Sequence, residues 1–456
     1  MRRIAVALFS ACVAGCGGSS SDAPADASAG DGAIDAGFDA AETSSDATAD
    51  ALDAPPTTSF RIALSVSPFT DVLLAAGIRF TDGVRTASTA LELQRLYVAH
   101  GANEVFVRVA TEHTNPAGSA SDHSLAHALE VAKLARTLAL PLNPELGLWS
   151  DYGDISCQPP PDFTGYDGIT VPGAWSTLTI DQMVPVLRAY GASMAHAFLD
   201  AGTRVSIWDL GNEIDFGTAG VAPKGLGACA GYQAPDGVDP VIGTKSVADL
   251  IAMTETDREA WLAAHVWPHQ ARLLAAVVDG VRSVDPTARF ATHVSGVSAS
   301  NSALALAFYQ AMADGGFHPD ELGFSWYPTS NTDAGRVTAF RATVDAARAK
   351  FAKPVFIAEL AYAAGPMTGA YATWVNPLPS YAISPEGQAA LLKDLASWGV
   401  VSGLSGIRYW APEVVVPSWS GFSIFVATDA TTATARPAID SIVKGLAIPN
   451  AAALHD

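Results

Sequence analysis

Eight times after Phe60 the sequence passes from a short apolar, β-branched run into a stretch with helical hydrophobic periodicity, with few breaks between them. This alternation limits the available folds more than any other feature, because strands separated by helices pair in parallel and carry the helices on their faces. The strand-like runs are Arg61–Val66, Asn103–Val109, Leu142–Leu148, Arg204–Glu213, Arg289–Val294, Leu322–Tyr327, Lys353–Leu360 and Leu404–Trp410. The helices predicted after them are Ser88–His100, Ser121–Leu140, Thr179–Ala201, Val247–Val284, Ser302–Asp314, Arg336–Phe351, Ser384–Trp398 and Pro437–Leu446. Eight such units read as an α/β fold, a (β/α)8 TIM barrel within residues 60–456. A doubly wound open sheet is the alternative, but no glycine-rich phosphate loop supports a nucleotide-binding version of it.

The residues before Phe60 differ in character. Met1-Arg2-Arg3 is a basic start, and Ile4–Val13 is an apolar stretch too short to span a bilayer. Val13-Ala14-Gly15-Cys16 resembles the bacterial lipobox, which implies a signal peptide over residues 1–15 and lipidation of Cys16. An exported lipoprotein is therefore expected, touching the membrane only through its lipid anchor. Gly17 after the cysteine favours the outer membrane or cell surface. Residues 16–59 are dominated by Ala, Ser, Asp, Gly, Thr and Pro, and their acidic residues, from Asp22 to Asp53, have no Lys or Arg to balance them. Such a segment buries little apolar surface and repels itself, so a disordered linker is expected. The net charge of −20 argues against nucleic acid and against electrostatic binding to anionic lipid.

Two of the strand-like runs end in glutamate. Ile207-Trp208-Asp209-Leu210-Gly211-Asn212-Glu213 closes the fourth, and Val355-Phe356-Ile357-Ala358-Glu359-Leu360 closes the seventh. Alone, each reads equally well as a strand-end surface charge. Together, at one mouth of a barrel, they can flank a glycosidic bond, one as acid and one as nucleophile. Retention of configuration needs carboxyls about 5–5.5 Å apart, and inversion about 6.5–9.5 Å. No His/Cys/Asp cluster has convincing metal-ligand spacing and no Ser-His-Asp elbow appears, so no cofactor and no metal are expected.

Carboxylates ending strands four and seven are the pattern of the large retaining glycosidase clan with barrel folds. Within it, the ordered motifs resemble glycoside hydrolase family 53, the endo-β-1,4-galactanases acting on arabinogalactan. Val107-Arg108-Val109 with Asn115-Pro116 is similar to the family's second strand, and Leu210-Gly211-Asn212-Glu213-Ile214 to its acid/base strand. His293 falls where the family has a strand-five histidine, and Ser325-Trp326-Tyr327-Pro328 is similar to its Ser-Tyr-Tyr-Pro. Glu359-Leu360-Ala361-Tyr362 resembles the nucleophile segment, Ser384-Pro385-Glu386-Gly387-Gln388 the opening of helix seven, and Tyr409-Trp410 the eighth strand. The resemblance covers roughly Phe60 to Leu446. The chain departs from it after strand three, where Leu142–Trp149 lacks the family's histidine and aspartate, and after Trp410, where Ala411 replaces a usual Glu. These departures bear on sugar preference. A loop calcium occurs in some family members, but no ligand set for one is readable here.

The resemblance implies Glu213 as acid/base and Glu359 as nucleophile. Arg108 is placed to hold Glu359 by charge and hydrogen bonding, Tyr327 to donate to the same carboxylate, and Asn212 to bond a sugar hydroxyl. His293 reads either as a substrate contact or as a core histidine bonded to backbone. Flat indoles suit the apolar faces of sugar rings, and Trp149, Trp326, Trp374, Trp410 and Trp419 fall at strand ends or in the following loops. Cys157 and Cys229, in the loops after strands three and four, are expected to pair in an oxidising compartment. The expected partner is a neutral polysaccharide, and the protein is expected to act as a monomer. The activity implied is an endo-β-1,4-galactanase with a two-glutamate double displacement. A mannanase- or cellulase-like glycanase and a non-catalytic carbohydrate-binding lipoprotein are the alternatives. Lipidation is tested directly: Cys16→Ala should move the protein from the membrane fraction to the soluble exported fraction, and an unchanged distribution would refute the anchor.

Overall fold

The computed structural model describes residues 60–115, 119–232 and 235–456. The signal segment, Cys16 and the linker lie outside the described residues. All eight expected strands form, as β1 (Arg61–Leu64), β2 (Val105–Val109), β3 (Leu142–Leu146), β4 (Trp208–Leu210), β5 (Phe290–Val294), β6 (Glu321–Trp326), β7 (Val355–Leu360) and β8 (Leu404–Tyr409). They make one parallel sheet in the order β1-β8-β7-β6-β5-β4-β3-β2. Each strand lies beside its neighbour in the chain and the first lies beside the last. That is barrel order, whereas a doubly wound sheet reverses order in its middle.

Side chains close the remaining seam between β1 and β2. Asn103 receives Ile62 N at 2.8 Å and donates to Phe60 O at 3.0 Å, and Phe106 N donates to Ser65 Oγ at 2.9 Å. The barrel interior is unusually polar. Arg408 of β8 lies between the rings of Phe106 and Phe356, 4.7 and 4.5 Å from their centroids, and bonds Asp209 at 2.7 Å and Asn143. At the opposite end from the cleft described below, Glu321 is shared by Arg61, by Arg289 at 2.8 Å and by Ser405 at 2.7 Å. Buried charges in such numbers are tolerated only when each is paired.

The outer helices are α1 (Ala90–Ala99), α2 (Leu125–Thr137), α3 (Ile180–Asp200), α4 (Trp267–Val284), α5 (Ser302–Asp314), α6 (Arg336–Phe351), α7 (Pro385–Ser402) and α8 (Ser441–Leu446). Their starts follow local capping chemistry. Thr89 and Glu92 form a capping box, and Ser384 caps α7 with Pro385 in the first turn. Helices α3 and α4 meet backbone to backbone at Gly191 and Gly280, where a Cβ would collide with the carbonyls of Val277 and Arg188. Among the described residues no helix is long and apolar enough to cross a membrane.

The structure corrects several boundaries. The helical region expected over 247–284 is three helices, Val247–Ala252, Glu255–His265 and α4. Thr254 caps the second of them by accepting from Asp257 N, and Pro268, which lacks an N–H, sits in the first turn of α4. The run Arg204–Glu213 keeps only three residues as β4, because Gly211 at φ +79° and Glu213 at φ +50° turn the chain out of the sheet. A second, four-stranded sheet was not legible in the sequence. It runs Phe425–Ala427, Thr432–Ala435, Arg79–Thr81, Thr86–Ala87, and packs on α1 through Phe80, Phe425 and Tyr97. Its strands are too short to show a period.

A disulfide joins Cys157, after β3, to Cys229, after β4, with Cα atoms 5.7 Å apart and a sequence separation of 72. Closing a loop of that length removes unfolded-state entropy worth on the order of 4 kcal/mol. A Cys157→Ser, Cys229→Ser variant should lose stability of about that size in urea unfolding. Two free thiols in the mass spectrum of the unreduced protein would refute the bond.

Candidate active site

A cleft of about 750 Å³ opens at the carboxyl ends of the strands and contains both glutamates. Glu359 lies in β7, near its end, while Glu213 stands past β4 in the left-handed turn. The turn is fixed from behind. Asp215 accepts from Ser295 Oγ at 2.8 Å and Ser298 Oγ at 2.6 Å, Trp267 Nε1 donates to Asp215 O at 2.9 Å, and Gln270 Nε2 donates to Ile214 O at 2.7 Å. These bonds hold a non-glycine residue in a conformation it disfavours, so the site of strain coincides with the candidate acid.

Arg108 organises the floor. Fully buried, it donates to Glu145 at 2.5 Å, to Asn212 Oδ1 at 2.8 Å and to Glu359 Oε1. Its guanidinium lies 4.0 Å from the ring centroid of Trp410. Burial opposes its charge, but Glu145 and Glu359 outweigh burial and drive its pKa further up. Tyr327 donates to the other oxygen of Glu359 at 2.6 Å. Burial, then the charges of Glu359 and Glu213, push this phenol well above its usual range, so it stays a donor. Glu359 thus accepts one bond on each oxygen, the pattern of a carboxylate and not of an acid.

Glu213 is treated differently. Burial first, then the negative charges of Glu359, Asp154 and Asp215, raise its pKa well above the ordinary carboxyl value. Two carboxyls in one cleft therefore sit in environments suited to an acid and to a nucleophile.

His293 has no exposed surface and reaches side chains, not the backbone and not the open cleft. Its Nδ1 lies 3.1 Å from Asp209 and its Nε2 2.8 Å from Asn212 Oδ1, an atom that also accepts from Arg108. Burial lowers its pKa, but Asp209 and Glu145 more than compensate and raise it, and both ring nitrogens face acceptor oxygens. Glu145, Asp209 and His293 converge within 4.8 Å. The guanidinium groups of Arg108 and Arg408 supply the positive charge there.

The tryptophans divide. Trp410 lines the cleft over Arg108. Trp374 and Trp419 line it beside Tyr371. Trp326 also borders the cleft, but it is 2% exposed and its face is stacked on Phe340 at 4.5 Å, so it offers sugar an edge at most. Trp149 has no exposed surface and lies against His123 and Tyr152, which makes it a support for the wall and not a platform for a ring. Reading the sequence did not single out Asp154, Asp215, Tyr152, Glu145, Asp209 or Arg408. Alternation along β3, β4 and β8 was the available signal for the last three, since it turns polar residues inward where apolar ones are usual.

A (β/α)8 barrel with one carboxyl of raised pKa and one held by hydrogen-bond donors, at the ends of its fourth and seventh strands, is the working arrangement of a glycoside hydrolase. The model of glycosyl hydrolase family 53 matches residues 85–440, and the chain belongs to that family. Among solved structures, the family 53 catalytic domain from Ignisphaera aggregans is similar at 17% identity and TM-score 0.61, over 85% of this chain and 95% of that one. A fungal β-1,4-galactanase is similar at 19% identity and TM-score 0.57, over 83% and 98%. No curated protein sequence matches the chain.

The raised pKa of Glu213 has a measurable consequence for stability. The folded protein holds this proton above the pH at which the unfolded chain releases it, near 4.5. The associated stability is complete below that pH and is lost as pH rises toward the folded value. Glutamine mimics the protonated form at every pH. Glu213→Gln should therefore match the wild-type Tm near pH 4 and exceed it at pH 8, by about 1 °C for each kcal/mol recovered in a domain of this size. A difference that does not vary with pH would refute the assignment.

Proposed function

We propose that this family 53 hydrolase is a retaining endo-β-1,4-galactanase, held at the outer membrane or cell surface through a lipidated Cys16. The observation that carries the mechanism is the contrast between Glu359, bonded by Arg108 and Tyr327, and Glu213, whose pKa burial and neighbouring carboxyls raise. Glu359 attacks the anomeric carbon while Glu213 gives its proton to the departing glycosidic oxygen. The glycosidic bond breaks and a glycosyl–Glu359 ester forms. Glu213, now a base, takes a proton from water, which displaces Glu359 and releases the sugar. Removal of the reacting sugar's bond to Glu359 returns both groups to their starting states.

Support for the substrate comes from the family and from a fungal β-1,4-galactanase among the similar structures. The cleft adds aromatic rings at Tyr371 and Trp374, suited to a neutral chain, and the net charge of −20 disfavours polyanions such as homogalacturonan. The departures after β3 and at Ala411 leave a mannanase or cellulase as the second reading. Digestion of galactan, mannan, xylan and cellulose in parallel should give short galacto-oligosaccharides from galactan alone. Glu359→Gln should abolish turnover. Glu213→Ala should spare activated aryl glycosides and be rescued by azide with a β-configured glycosyl azide. Faster cleavage of mannan or cellulose would discard the galactanase name, and an α-configured azide would discard the double displacement.

A further inference from the structure

The loop after β3 carries a third carboxylate into the cleft. Asp154 lines it together with Tyr152, Glu213 and Glu359. Its Oδ1 accepts from the backbone N and the hydroxyl of Ser156, at 2.8 and 2.5 Å. Its Oδ2 has no hydrogen-bond donor among the described residues. A carboxylate with one oxygen committed and the other facing a polar cleft is an acceptor awaiting a donor.

The position is built by several independent ties. Asp154 and Cys157 form an antiparallel bridge with N···O distances of 2.9 and 3.0 Å, and Leu226 N donates to Ser156 O at 2.9 Å. The disulfide from Cys157 to Cys229 fastens the same turn to the loop after β4. Gln158 Nε2 donates to Asp154 O at 3.0 Å and to Asn212 O at 2.8 Å, while Asn212 Nδ2 donates to Gly153 O at 2.7 Å. Gly153 lies flat on Trp149, where a Cβ would come within 2.5 Å of the indole. The loop is thus registered to the residue immediately before Glu213, and Asp154 is fixed relative to the reacting pair.

On the cleft floor, Asn212 Oδ1 and both oxygens of Glu359 already accept bonds, while Arg108 Nη1 and Ser325 Oγ have no partner among the described residues. Arg108 is bound to Glu145, Asn212 and Glu359, Tyr327 to Glu359, and Asn212 to Arg108, His293 and Gly153. A sugar ring offers hydroxyl donors whose directions depend on its configuration, and they need an acceptor. We propose that Asp154 is a substrate-binding residue whose carboxylate accepts hydrogen bonds from hydroxyls of the sugar beside the scissile bond, and so selects the sugar configuration the cleft takes. This rests on the glycanase reading above, not on galactan in particular.

Asp154→Ala and Asp154→Asn test it, on whichever of the four glycans the wild type cleaves. If that glycan is not galactan, the galactanase reading fails while the Asp154 proposal is still measured. A hydrogen bond to a charged group sets the expected loss of kcat/KM in Asp154→Ala at about 10- to 100-fold. The Kd of the tetrasaccharide of the same glycan, measured calorimetrically with Glu359→Gln as the parent protein, should rise with it. Asp154→Asn is isosteric and can keep an acceptor, so its loss should be smaller; it also serves if the alanine variant fails to fold. Unchanged KM and Kd in either folded variant would overturn the proposal. So would a pH profile whose alkaline limb moves to lower pH with no loss of oligosaccharide affinity, since Asp154 would then act on Glu213 by charge alone.

Discussion

One guanidinium on the barrel axis holds the site together. Arg108 bridges Glu145 of β3, Asn212 at the mouth of β4 and Glu359 of β7, and lies under Trp410 at the mouth of β8. Removing one member of such a buried set leaves an uncompensated charge, at a cost of about 3–5 kcal/mol. The geometry of Glu359 and the integrity of the barrel mouth therefore depend on the same atoms. Conformational looseness at Glu359 cannot be gained without exposing that cost.

The second guanidinium extends the arrangement downward. Arg408 ties Asp209 and Asn143 between two phenyl rings, and Asp209 passes the connection to His293 and so to Asn212. His293, whose ring nitrogens face two acceptors, is a link in this chain of bonds. Its position one layer beneath the cleft explains how a residue at a familiar place in the sequence can serve the site without touching a sugar. Trp149 has the same kind of role, since it supports the loop that carries Tyr152 and Asp154.

The two carboxyls of the cleft, Glu213 and Glu359, differ in their surroundings and not in their chemistry. Glu359 is placed by a regular strand and takes two donors. Glu213 is placed by a left-handed turn, pinned through Asp215, Trp267 and Gln270, and faces other carboxyls. Sites of this sort commonly store strain where chemistry occurs, and the surrounding bonds over-determine the turn. The loop after β3 is fastened to the same turn, so one small region sets Glu213 and the wall next to it.

The sequence by itself determined the number of barrel strands and their order along the chain, because the alternation of periods is a local property. Helices Ser302–Asp314 and Arg336–Phe351 have the bounds their periodicity implies. It also marked Glu213, Glu359, Arg108, Asn212 and Tyr327, since strand ends and short motifs are readable residue by residue. Only the tertiary structure decided which of the marked residues face the cleft. Closing the barrel brings residues 108, 145, 212 and 359 into contact, and no local pattern carries those contacts. It buried Trp149 and His293, laid the face of Trp326 on Phe340, and brought Asp154 forward on a turn fixed by partners far along the chain. The outer sheet was hidden for the same reason: its strands are too short to have a period and exist only through pairing between the two ends of the domain.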